Sequence, residues 1–187
     1  MSEKTREYPL FSACGLNCGL CPRYHTDGKS KCPGCLGKEF YKTHPTCGIL
    51  SCSQRKELDY CYLCDEYPCK KYDNADKSDS FITHKNQFDN FEKAKRIGIE
   101  AYQKELNEKV DILYTLINNY NDGRKKNFYC IAINLLDLSD IKSIMQTIKE
   151  EISLQDIEIK EKVKQIVLLF ENKAREQNIE LILRKKV

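Results

Sequence analysis

Ten of the chain's 11 cysteines fall between Cys14 and Cys69, in paired spacings that govern what this stretch can become. They read C-x3-C-x2-C at Cys14, Cys18 and Cys21, C-x2-C at Cys32 and Cys35, C-x4-C at Cys47 and Cys52, and C-x2-C-x4-C at Cys61, Cys64 and Cys69. The surrounding residues carry little regular apolar patterning, so such a segment depends on cross-links for its stability. Two chemistries supply them, disulfides and metal. A C-x2-C pair lets two thiolates reach one ion while the intervening backbone N–H groups point at the sulfurs, the way small folds hold tetrahedral zinc.

Compartment decides between the two. Met1 to Leu10 is charged and polar, without an apolar stretch or cleavage signature of a secretory leader. No run of about 18 apolar residues is present to span a membrane. The expectation is a cytoplasmic protein, where thiols stay reduced unless metal holds them, and the cysteines therefore read as metal ligands rather than disulfides.

Composition divides the chain. Residues 12–72 hold the clustered cysteines, four of the five prolines and most of the glycines, whereas 85–187 is rich in Lys, Glu, Ile and Leu, with one cysteine and no proline. The polar run Asp73 to Ser80 reads as the connection, which places a cysteine-rich module at 1–75 and a helical domain at 76–187. In the second half apolar residues recur every three or four positions. Phe88, Phe91 and Ala94 precede Tyr102, Leu106, Val110, Leu113, Ile117 and Tyr120, with Gly98 set to kink or split the run and Asn121-Asp122-Gly123 to end it. Phe128 to Leu136 gives a second stripe, Ile141 to Ile152 a third capped by Ser139 or Asp140, and Ile159 to Ala174 a fourth. Ile179, Leu181 and Leu183 then alternate, which predicts a short C-terminal β-strand. The fold class is thus mainly α: a small loop-rich zinc module packed on an antiparallel helical domain.

Ligand arithmetic follows. Two closed four-cysteine sites use eight of the ten sulfurs. One assignment joins Cys18 and Cys21 with Cys32 and Cys35, and Cys47 and Cys52 with Cys61 and Cys64, leaving Cys14 and Cys69 over; a cross-braced assignment suits the spacing as well. All ten, Cys14, Cys18, Cys21, Cys32, Cys35, Cys47, Cys52, Cys61, Cys64 and Cys69, are candidate metal ligands for about two zinc ions. A third ion needs 12 ligand positions, reachable with two from His25, His44 or Asp65. The alternative cofactor is an iron–sulfur cluster, because Cys14, Cys18 and Cys21 have the spacing that holds three irons of a [4Fe–4S] centre in S-adenosylmethionine-dependent radical enzymes. Those enzymes set the motif in front of a large α/β barrel, and this chain has helices instead.

The segments CGLNCGLCPRY (Cys14 to Tyr24), CPGC (Cys32 to Cys35), CGILSC (Cys47 to Cys52) and CYLCDEYPC (Cys61 to Cys69) together resemble the domain of unknown function 3795 family, short cysteine-rich prokaryotic proteins regarded as zinc-binding. The flanking Gly15, Pro22, Tyr24, Gly34 and Pro68 fit as well. DGRKKNFYCIAINLL (Asp122 to Leu136) and the ending IELILRKKV resemble the helical extension of longer members. The resemblance implies a prokaryotic origin, a cytoplasmic location and bound metal; it implies no reaction.

Charge argues against nucleic acid as a partner. Residues 1–80 carry 12 basic and 11 acidic side chains. Eight thiolates around two Zn²⁺ add four further net negative charges, which leaves the module near −3, whereas a phosphate-binding domain is clearly basic on one face. Tyr24, Tyr41, Tyr60, Tyr62 and Tyr67 have the chemistry to stack on bases, but in a module this small aromatics more often cover a metal site. The sequence also leans away from an enzyme. All-cysteine shells are closed and structural, His25, His44 and His84 form no catalytic zinc signature, and Cys130 sits in an apolar helical stripe as a core residue. The function read from sequence is a zinc-binding protein whose structural sites support a scaffold for a protein or small-molecule partner, with no membrane role. An iron–sulfur or thiol redox protein is the alternative, and a nucleic-acid-associated zinc protein the third reading.

Overall fold

The computed structural model describes residues 5–185, and its backbone packing groups the chain into two compact units. One comprises Met1–Asn107 with Leu183–Val187, the other Glu108–Ile182. The described residues are mainly helical, with α1 at Phe40–Thr43, α2 at Gly48–Arg55, α3 at Gln87–Ile97, α4 at Ile99–Asn119, α5 at Lys126–Leu135, α6 at Leu138–Thr147 and α7 at Ile159–Glu176. None of these helices is long and apolar enough to cross a membrane.

The first unit is organised by aromatic packing. Phe11 is fully buried, with the rings of Tyr102, Tyr60 and Phe91 at centroid distances of 4.6, 5.2 and 5.6 Å. Phe91 also receives Tyr62 at 5.0 Å and Tyr67 at 5.4 Å, while Phe88 receives Tyr72 at 5.6 Å. The stripe Phe88, Phe91 and Ala94 is thus the apolar face of α3, and it covers the tyrosines of the cysteine-rich segment. Composition groups α3 with the helical half, yet it packs with the cysteines. Its polar residues complete the join: Gln87 Nε2 donates to the Cys14 carbonyl at 2.7 Å and Asn90 Nδ2 to the Gly15 carbonyl at 2.9 Å. Three of the five tyrosines that could have stacked on bases are consumed by this interior.

Gly98 separates α3 from α4 with φ 87° and ψ 148°, a backbone conformation that side chains disfavour, so the long periodic run becomes two helices as its glycine predicts.

The second unit is built from the remainder of α4 with α5, α6 and α7. Leu113, Leu116, Tyr129, Ile133, Ile141, Ile166 and Phe170 are buried almost completely, at the three- and four-residue spacing of amphipathic helices. Asn121 closes the turn after α4 by accepting from the backbone of Gly123 and Lys125, both at 3.1 Å. Lys109 is buried by laying its stem along this core and donating Nζ to the Leu136 carbonyl at 2.7 Å, just past the end of α5. Two sequence expectations are corrected here. The third helix starts at Leu138 after Asp137 instead of at a Ser139 or Asp140 cap, with Asp140 in the first turn where a carboxylate meets the positive helix end. Its expected continuation to Ile152 passes through a π-helical turn at Ile148–Ile152.

The expected C-terminal strand is not formed among the described residues. The segment after α7 turns at 177–178 and forms no ladder, and Arg184 anchors it instead. Its backbone N–H donates to Asp79 Oδ2 at 2.7 Å, its guanidinium to Asp79 Oδ1 at 2.9 Å, and the Asp79 N–H returns to the Arg184 carbonyl at 3.0 Å. Asp79 has no exposed side-chain surface. Burial opposes its ionisation, but these bonds and that from the His84 N–H hold its carboxyl below the usual range. A period-two pattern needs a neighbouring strand edge to become a strand, and here the chain meets a polar loop.

Candidate metal centre

The cysteine-rich segment is a succession of tight turns that present sulfurs inward. Cys18 to Leu20 forms a single 3-10 turn closed by Cys21 N–H donating to the Cys18 carbonyl at 3.1 Å, and Cys61 to Leu63 repeats the device with Cys64 N–H to the Cys61 carbonyl at 3.0 Å. The CPGC turn depends on Gly34. Its φ is +86°, and a Cβ there would meet the Pro9 carbonyl oxygen at 2.5 Å, the same carbonyl that accepts from Cys35 N–H at 2.8 Å.

The turns divide the ten sulfurs into six and four. Cys14, Cys18, Cys21, Cys32, Cys35 and Cys47 line one cavity of about 480 Å³. Cys52, Cys61, Cys64 and Cys69 line a second, tighter one of about 30 Å³. Ile49, Lys71 and Tyr72 contribute to the walls of both. This division differs from both pairings suggested by spacing, and the cause is α2. Cys47 is its N-cap residue, accepting from Leu50 N–H at 3.5 Å, and Cys52 lies inside the helix. Five residues at about 100° each turn the two sulfurs roughly 140° apart, so C-x4-C here serves two cavities instead of one ion. Cys14 and Cys69, left over in the first pairing, fall into different groups. Cys130 is buried in α5.

Each group carries donors aimed at sulfur. The backbone N–H groups of Arg23 and Tyr24 favour the Cys21 thiolate, that of Leu16 favours Cys14, and that of Ala13 favours Cys35. Arg6 reaches Cys35 Sγ at 3.8 Å, and Ser12 Oγ lies 3.0 Å from Cys14 Sγ. In the smaller group Lys56 Nζ donates to Cys64 Sγ at 3.3 Å while pairing with Glu66 at 2.9 Å, and the Tyr72 hydroxyl favours the Cys61 thiolate. Burial opposes all of this. It pushes the Cys14 thiol up to about 12 and Cys18 well above the ordinary thiol value, and neighbouring cysteines push in the same direction.

Among the described residues, no group of three or more His, Cys, Asp or Glu side chains is drawn together closely enough to hold an ion directly. The fit to metal therefore rests on the donor set. Soft thiols in fours and sixes, half-buried except for the buried Cys32 and Cys35, given N–H and cationic donors that stabilise only the thiolate, suit Zn²⁺ or another thiophilic ion. Such a cation would also offset the burial that, with neighbouring cysteines, disfavours the thiolates of Cys14 and Cys18. The histidines are engaged in other ways. His25 Nε2 lies 2.7 Å from the Gly19 carbonyl, His44 stacks on Phe40 and bonds the Pro45 carbonyl at 2.8 Å, and His84 Nε2 lies 3.1 Å from Ser80 Oγ. Of these, His44 and His84 line the larger cavity.

Two features of that cavity are invisible in the spacing. Phe40, Ile49, Phe81 and Ile82 give it an apolar wall, and Arg23 lies over the Phe81 ring at 4.9 Å. Gln87 also lines it, and its buried Oε1 has no hydrogen-bond partner among the described residues. A stripe of α3 supplies Gln87, and only the fold brings it there.

No curated protein and no solved structure matches the chain significantly. Residues 10–74, the span of the paired cysteines, match the model of a family described as protein of unknown function (DUF3795).

Proposed function

We propose that residues 10–74 form a zinc–thiolate module whose metal is structural, and that the larger cavity is the binding face of a scaffold for a small ligand or a partner's side chain. The observation that carries this reading is the gathering of ten cysteines around two cavities with N–H, Lys56 and Arg6 donors on their sulfurs. Cys52, Cys61, Cys64 and Cys69 supply the four ligands of a closed site, the kind that contributes roughly 10–16 kcal/mol of apparent binding free energy in finger-sized peptides. The apolar wall of the larger cavity, with Arg23 and the unpaired Gln87 Oε1 at its margin, suits an occupant that is mostly apolar and carries a hydrogen-bond donor.

Elemental analysis of protein purified under reducing conditions tests the metal. Zinc bound in stoichiometric amount is expected, with release of protons on loading at pH 7, since burial keeps Cys14 and Cys18 protonated in the metal-free chain. Acid must then weaken binding, because each ligating thiol competes for a proton. Metal-free protein with quantitative disulfides would refute the reading.

A second reading, an iron–sulfur protein, is favoured by one observation: Cys14, Cys18 and Cys21 share a single cavity of about 480 Å³, which has room for a cluster. Absorbance near 400 nm of anaerobically purified protein separates the two, because zinc thiolates are colourless there.

A further inference from the structure

We infer that the larger cavity takes a small aromatic carboxylate bearing one N–H donor, with its ring on the apolar wall, its N–H on Gln87 Oε1 and its carboxylate at the rim with Arg23 and Lys71. This rests on the reading of that cavity as a binding face and names the class of ligand.

The donor is called for by Gln87. It begins α3, is only 3% exposed and lines the cavity. Its Nε2 is spent on the Cys14 carbonyl at 2.7 Å, and the same carbonyl accepts from the Tyr72 hydroxyl at 3.4 Å. Turning the amide over would set Oε1 against that carbonyl, so the hydrogen bond fixes which end is oxygen. Among the described residues nothing donates to Oε1. A buried acceptor without a bond is costly, and a ligand N–H relieves that cost.

The aromatic body is called for by the wall. Phe40, Leu50 and Ile82 are buried in it, whereas Phe81 is 61% exposed and so lies at the mouth. Arg23 is tied down there, with its guanidinium 4.9 Å from the Phe81 ring centroid and a bond to the Thr43 carbonyl at 3.1 Å. An exposed ring beside a fixed cation is ready to cover a flat, anionic ligand. The volume of about 480 Å³ lies within the span of small-molecule pockets, roughly 300–1,000 Å³.

The sign of the charge follows from what faces the space. Arg23 and Lys71 line it, and among the described residues no Asp or Glu does. Lys71 is exposed, so a carboxylate beside it keeps its water and its charge is not buried. A cationic ligand would instead meet like charges.

Isothermal titration calorimetry of the full-length protein, with its metal content as isolated, tests the inference with three probes. Indole-3-acetate has the ring, the N–H and the carboxylate; benzothiophene-3-acetate replaces the N–H by sulfur; tryptamine keeps the indole and reverses the charge. Indole-3-acetate is expected to bind saturably. Benzothiophene-3-acetate should bind about tenfold more weakly. Tryptamine should bind about fivefold more weakly, a difference that shrinks with added salt. Phe81→Ala, at an exposed side chain, should weaken indole-3-acetate about fivefold. Gln87→Met should remove the preference for the N–H, and because that preference is read between probes on the wild-type protein, it stands or falls without the variant. Equal binding of the three probes, weakened by Phe81→Ala, would overturn the ligand class and leave the cavity a binding face. No saturable binding, or binding that Phe81→Ala leaves unchanged, would overturn both.

Discussion

Lys56 is the side chain that most directly joins the polypeptide's charge to its sulfur chemistry. It lies eight residues before Cys64, is partly exposed, and holds Nζ 3.3 Å from that sulfur and 2.9 Å from Glu66. Nothing in the spacing marks it, because the contact exists only once α2 and the Cys61 turn are folded. In the proposed zinc module, a charge-assisted bond to Cys64 Sγ would tune that sulfur as outer-shell partners do, at about 10–100-fold in affinity. Lys56→Gln is therefore expected to weaken metal at the four-thiol group by about tenfold, the lower end because the site is near solvent, as read by competition with a chromophoric chelator. An unchanged affinity would mean that Lys56 serves only Glu66. The tight turns at Cys18 to Cys21 and Cys61 to Cys64 were legible from sequence, because C-x2-C spacing announces a local turn. The cysteines' partners were not. Cys47 and Cys52 look like a pair until the helix between them turns the sulfurs away from each other.

At the scale of elements, local periodicity carried most of the information. The split of the long helical run at Gly98 was legible because a lone glycine between two apolar stripes has few other uses. Gly98→Ala tests that reading. A Cβ at this position meets nothing within 4 Å, so any cost comes from the backbone at φ 87° and not from a clash. A loss of about 1–3 kcal/mol is expected in denaturant unfolding. An unaffected midpoint would show that the junction relaxes freely. The two elements that sequence misassigned failed for one reason, the absence of information about neighbours. The stripe of α3 specifies that the helix has an apolar face, and the tyrosines of the cysteine segment decide what covers it. The alternation at Ile179 to Leu183 equally specifies an extended chain, and the polar loop around Asp79 decides that no ladder forms.

For the molecule as a whole, the two units draw their stability from different sources. Residues 108–182 bury Leu113, Leu116, Tyr129, Ile133, Ile141, Ile166 and Phe170, a core of the ordinary kind. The cysteine-bearing unit pairs an aromatic core with turns that hold ten thiols, most of them half-buried. In the proposed zinc module, a strong chelator should abolish protease resistance in residues 12–72 while 108–182 keeps its hydrogen-exchange protection. Simultaneous loss in both would mean that metal supports a single cooperative structure.

The Asp79–Arg184 tie also has a consequence for the living ribosome. The cysteine-bearing unit is interrupted: the segment that anchors its polar loop is separated from it by 105 positions, and the whole of residues 108–182 is made in between. Synthesis is vectorial, so a nascent chain displays all ten thiols to the cell, ready for metal or oxidant, well before Arg184 emerges to fasten the loop beside them. The helical insertion therefore postpones that last contact until after the ten cysteines of residues 14–69 have been made.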